Sequence, residues 1–85
     1  MLEVTERASR ALKSALAKRE EEHHDGVRII VTKEGTRLKF DQQYPRDTVL
    51  NYDDELVLLM DPLSAKCLDD RKLDYDEESA SLVFV

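Results

Sequence analysis

The sequence is short of the residues that most often carry chemistry or covalent stability. Cys67 is the single cysteine in 85 residues, so no disulfide can form within one chain. A lone thiol also fits a reducing compartment better than an oxidising one. Two glycines are too few for a loop that cradles phosphate. The histidines are two adjacent residues, His23 and His24, and none of Ser9, Ser14, Ser64, Ser79 or Ser81 stands at a glycine elbow. No nucleophile–base pair can be assembled from these residues, and the expectation is a protein that is not an enzyme. No apolar run approaches the roughly 18 residues needed to cross a bilayer. The opening residues Met1 to Glu6 lack the basic and apolar regions of a signal peptide. The expected location is the cytoplasm, without membrane contact.

Positive charge is scarce in the second half. Residues 41–85 carry four Lys/Arg against twelve Asp/Glu, a net of −8, whereas residues 1–40 carry a net of +2. An acidic half repels phosphate backbones and favours basic protein surfaces, so nucleic acid is not an expected partner. The length implies one domain over 1–85. A chain of this size buries roughly 60–65% of its unfolded surface, and a homodimer would relieve so thin a core.

What is present reads as an α+β order with mixed, sandwich-like sheets. After an extended Leu2 to Thr5, Thr5 is placed as a helix N-cap with Glu6 at the positive end of the dipole. Ala8, Ala11, Leu12, Ala15 and Leu16 then recur on one helical face, predicting an amphipathic helix of about 18 residues with Gly26 as its stop. The period next falls to two: Val27, Ile29 and Val31 alternate with Arg28, Ile30 and Thr32. Lys33-Glu34-Gly35 turns the chain into a return strand bearing Leu38 and Phe40. A polar loop over 41–47 leads to a strand at Thr48 to Tyr52, a turn at Asp53-Asp54-Glu55, and the apolar run Leu56 to Met60, which suits a strand covered on both faces. Pro62 opens a short second helix through Leu68, with Leu63, Ala65 and Leu68 expected to face inward. Strands at Lys72 to Tyr75 and Ser81 to Val85 close the chain around an acidic turn.

This order resembles the A-type (IscA/HesB-like) iron–sulfur cluster assembly domain, and several stretches carry the likeness residue by residue. Leu2-Glu3-Val4-Thr5 before an Ala-bearing helix is similar to the family's strand–Thr–helix start. Val27-Arg28-Ile29-Ile30-Val31 is similar to its "LRLGV" strand, Leu38-Lys39-Phe40 to "LEF", and Asp47-Thr48-Val49-Leu50 to its "D-x-V-F" step. Met60-Asp61-Pro62-Leu63-Ser64, Leu68-Asp69 and Lys72-Leu73-Asp74-Tyr75 resemble "V-D-x-x-S-x-x-x-L-D-G-x-x-(I/L)-D-(Y/F)". The resemblance implies an IscA-like fold that self-associates and works with proteins of iron–sulfur or sulfur metabolism.

The resemblance also implies a ligand set, three thiolates in a "C-S-G" turn and a C-terminal "C-G-C-G", since soft anionic sulfur holds iron. Here the corresponding turn reads Thr32-Lys33-Glu34-Gly35-Thr36, and Val85 follows directly on the segment similar to the last core strand. No ligand position carries over. The sequence is expected to be a degenerate member, an accessory or protein-binding one with no metal site and no cofactor. The alternative is an iron or iron–sulfur carrier that uses Cys67 across an oligomer. Cys67 itself is expected to be a small, mostly buried hydrophobe with an inert thiol.

Three other groups invite a site. His23-His24-Asp25 offers imidazole and carboxylate, but adjacent helical residues point about 100° apart and chelate poorly. Asp69, Asp70, Asp74, Asp76, Glu77 and Glu78 lack the glycine and spacing of a calcium loop and read as a solvated acidic rim. The hairpin cations Arg28, Lys33, Arg37 and Lys39 form the one concentrated positive feature. They are candidates for contact with an acidic protein partner or the acidic half of a second subunit, with edge protection as the equal alternative.

Overall fold

The computed structural model describes residues 1–18 and 24–85. The elements are β1 (Glu3–Val4), α1 (Glu6–Ala17), β2 (Gly26–Thr32), β3 (Gly35–Asp41), β4 (Thr48–Tyr52), β5 (Glu55–Met60), α2 (Pro62–Cys67), β6 (Lys72–Asp76) and β7 (Ser81–Phe84). They form a four-stranded sheet in the order β3-β2-β5-β4 and a three-stranded sheet in the order β1-β6-β7. Both are mixed: β2–β5 and β1–β6 pair in parallel, whereas the hairpins β2–β3, β4–β5 and β6–β7 are antiparallel. The α+β class and the two helices agree with the pattern in the sequence.

Residues from both sheets and both helical segments meet in one core. Ala8 and Leu12 of α1 join Val27 and Ile29 of β2, Leu58 and Met60 of β5, Leu73 of β6 and Leu68 after α2. The apolar run Leu56 to Met60 supplies the central strand, and Val57, Leu58, Leu59 and Met60 are all buried. Fully burying such a side chain is worth about 1.5–3 kcal/mol, so β5 carries a large share of the fold's stability.

The β4–β5 hairpin turns through Asp53 and Asp54, with φ of +56° and +64°. Two successive positive φ values match the twist of the flanking strands, and aspartate tolerates that region better than most residues. Gly35, after the β2–β3 turn, has φ of +136°, where a β-carbon would be strained.

Three expectations are corrected. Helix α1 has twelve residues rather than about 18, with Lys18 as its C-cap; the remainder of the expected helix lies at residues 19–23, outside those described. Gly26 starts β2 instead of stopping the helix, and a β-carbon on it would meet Leu56 and Leu59. Leu63, expected to face inward, is 68% exposed, since it lies about 100° around α2 from the buried Ser64. Leu38, in the return strand as expected, is 45% exposed, since among the described strands β3 is at the edge of its sheet.

Candidate functional site

The hairpin turn is where the resemblance places a thiolate. It is closed by its own polar groups: Thr32 Oγ1 donates to the Gly35 carbonyl at 3.0 Å and accepts from the Glu34 N–H at 3.3 Å. No sulfur stands there. Cys67 is at the end of α2 and exposed, which corrects the expectation of a buried thiol. The inward positions of that helix are taken by Ser64 and Ala65, and Leu68 follows as its buried C-cap. Among the described residues no group of three His, Cys, Asp or Glu side chains could hold a metal ion. Cys67 alone offers one soft donor, so these residues do not fit a cluster site within one subunit.

The cation cluster does not survive as one surface. Alternation puts Arg28 on the face opposite Val27 and Ile29, and that face is covered. Its side chain is 6% exposed. Nε donates to Asp41 Oδ2 at 2.7 Å, one terminal nitrogen to Asp47 Oδ1 at 2.8 Å, and the other to Asp47 Oδ2 at 2.5 Å and the Gln42 carbonyl at 3.0 Å. The guanidinium also lies 5.0 Å from the centre of the Tyr44 ring. Asp47 in turn accepts from the Tyr44 N–H at 2.7 Å. Arg28 is therefore the hub that folds the 42–47 loop back onto the sheet, and it is unavailable as a contact residue.

The electrostatics follow from this geometry. Hydrogen bonds from Arg28 hold Asp47 below the usual carboxylate range against the opposing effect of burial. Burial pushes Asp41 up, but the Gln42 N–H and Arg28 outweigh it and its net shift is downward. The hydrogen bond to Asp47 leads the causes that push Arg28 up.

Lys33, Arg37 and Lys39 remain on the exposed hairpin. Their ion pairs are long: Arg37 to Glu34 at 3.9 Å and Lys39 to Asp41 at 3.6 Å. Such exposed pairs contribute about 0–1 kcal/mol, so most of this charge stays available to solvent.

The residues that carry the resemblance prove to be staples of the scaffold. Thr5 caps α1 by accepting from the Ala8 N–H at 3.2 Å, and it donates to Asp74 at 2.6 Å. Asp74 also takes two bonds of 2.7 Å from Arg7 and one of 2.8 Å from the Tyr75 N–H. Led by Arg7, these donors hold its carboxyl well below the ordinary range. Asp61 caps α2 through the Ser64 N–H, and buried Ser64 accepts the Val31 N–H at 3.2 Å. Ser64 thus continues β2 where its parallel pairing with β5 has ended at Ile29.

The remaining candidates are dispersed. His23 lies outside the described residues. His24 packs its ring 5.2 Å from Phe40, and its Nδ1 is buried without a hydrogen-bond partner. Asp25 accepts from the Gln43 N–H at 2.8 Å. Of the acidic rim, Asp69 pairs with the N-terminal amine, Asp74 with Arg7, and Asp76 caps the final turn through Glu78 and Ser79.

Little in the residue pattern points to the Arg28 hub. An arginine flanked by Val27 and Ile29 in a strand, followed by the aspartates of the 41–47 loop, is the signal that could have found it.

No model of a known protein family matches the chain, and no curated protein does. Solved structures match along nearly its whole length. SufA of Escherichia coli, involved in biosynthesis of iron–sulfur clusters, superposes with a TM-score of 0.77 at 21% identity, over 99% of this chain and 81% of that one. A protein of Aquifex aeolicus gives 0.66 at 25% identity over 99% and 89%. IscA with a [2Fe–2S] cluster gives 0.60 at 15% identity over 99% and 81%. The chain has the fold of SufA and IscA, as the residue-level resemblance implied.

Proposed function

We propose that this protein is a non-catalytic docking or accessory protein of iron–sulfur cluster biogenesis, which keeps the A-type scaffold without holding a cluster itself. One observation carries the reading. The turn that would present a thiolate is Thr32-Lys33-Glu34-Gly35, closed on its own hydroxyl, and the lone Cys67 projects from α2. A cluster needs several thiolates converging on one point, and one exposed sulfur supplies a single donor. The likeness to SufA and IscA supports the setting, in the cytoplasm and with protein partners of iron–sulfur or sulfur metabolism. The thin core favours a homodimer as the working form. Anaerobic purification followed by assay of iron and acid-labile sulfide tests the reading: substoichiometric amounts are expected, and one cluster per subunit or per dimer would end it.

A second reading has its own observation. Because Cys67 is exposed, two subunits could share a cluster through it, with the remaining ligands supplied from outside. Cys67→Ser would then abolish iron content and visible absorbance. An unchanged variant removes this alternative.

A further inference from the structure

We propose that strand β3 is a docking edge that takes an acidic, extended segment of a partner protein as an added strand. This rests on the docking reading above and names its site and the chemistry of its partner. The two sheets have four edges, β3, β4, β1 and β7, of seven, five, two and four residues. Long edges invite pairing, and proteins protect them with brevity, proline, bulges or charge. β3 is the longest, contains no proline, and pairs with β2 without a break in register from Gly35 to Asp41. The register break lies instead in the β4–β5 pair.

Among the described residues only charge guards β3, and Arg37 and Lys39 give the exposed part of the strand a single sign. Arg37 and Lys39 make pairs no shorter than 3.6 Å, while Lys33 and Glu34 in the preceding turn offset one another in charge. Such an edge repels its own copy, since antiparallel self-pairing would set these cations against one another. It is complementary to a strand with acidic side chains. Backbone hydrogen bonds would supply the affinity and alternate side chains the selectivity. Leu38 and Lys39 also line a groove of about 860 Å³ between β3 and α1, with Ala11, Ala15 and Leu82 on its other walls. That groove gives apolar residues alternating with the acidic ones a place to go.

The test uses the isotope-labelled chain and a capped peptide of about eight alternating Glu and Val residues, the length of an ordinary strand. Saturable binding is expected, with amide shifts and new exchange protection confined to residues 35–41. Its Lys–Val counterpart should bind at least about tenfold more weakly. Reversing the charge with Arg37→Glu and Lys39→Glu together should invert that preference; both residues are exposed, and circular dichroism checks that the variant folds. Absence of saturation below about 1 mM, equal affinity for the two peptides, or shifts centred on α2 would overturn the proposal. A concentration-dependent dimer that protects β3 without peptide would overturn it as well. The comparison of peptides on the unaltered chain stands even if the variant fails to fold. Stoichiometric iron and sulfide would end the cluster-free reading yet leave this titration unaffected. A partner retained equally by the charge-reversed variant would end the β3 assignment and leave docking intact.

Discussion

Asp47 accepts hydrogen bonds from both terminal nitrogens of Arg28, at 2.8 and 2.5 Å, and only 2% of its side chain is exposed. Removing one member of such a pair strands the other charge away from water. Arg28→Ala should destabilise the fold by about 3–5 kcal/mol, a large part of the roughly 5–15 kcal/mol available to a domain. The paired change Arg28→Met with Asp47→Leu removes both charges and should be milder than Arg28→Ala. Urea denaturation midpoints of the three proteins check this, and equal losses in single and double variants would contradict it.

The same pair sets a pH dependence. Asp47 and Asp41 titrate in the folded protein below their ordinary value of 3.8. Their contribution is therefore complete above that pH and is lost as pH falls through the lower folded values. Between neutrality and pH about 4.5 these groups should change stability little, and the steep fall should begin below pH about 4. Asp47→Asn should be less stable at neutral pH and show a shallower acid slope. Thermal midpoints measured from pH 7 down to 2 give both quantities.

Most of the fold was legible because its signals are local. The change of period from α1 to β2, Thr5 as a cap, Pro62 at a helix start and the unbroken run in β5 each state their structure within a few residues. Arg28 was not legible. Alternation correctly put it opposite Val27, but that face is covered only because the 42–47 loop returns over it, a fact of tertiary structure. Cys67 failed for a related reason: a helix of six residues shows too little periodicity to fix which face turns inward. The candidate cations were half legible, since Arg37 and Lys39 lie on the edge strand, Lys33 lies in the turn before it, and Arg28 is buried in the neighbouring strand.

Ser64 offers a local test of how α2 is attached. Its hydroxyl is the partner of the Val31 N–H, beyond the last β2–β5 pair. Ser64→Ala leaves that donor without a partner in a semi-buried place, which should cost about 1–3 kcal/mol. The distinctive readout is amide exchange: Val31 should exchange faster, while Ile29, still flanked by Leu38 and Met60, should keep its protection relative to global unfolding. Uniform acceleration of both amides would mean that Ser64 acts on the whole fold and not on this junction.

Cys67 provides the prediction that bears most directly on function. It is exposed at the end of α2, so Cys67→Ser should alter stability by no more than about 0.5 kcal/mol. In the native protein the thiol should be titrated stoichiometrically by an aromatic disulfide reagent without denaturant. Repeating the titration after anaerobic incubation with iron and sulfide separates the two functional readings. Undiminished labelling, with no new visible absorbance, is expected of a scaffold that docks partners without carrying a cluster. Labelling that disappears together with the appearance of a charge-transfer band would instead show Cys67 bound to iron between subunits.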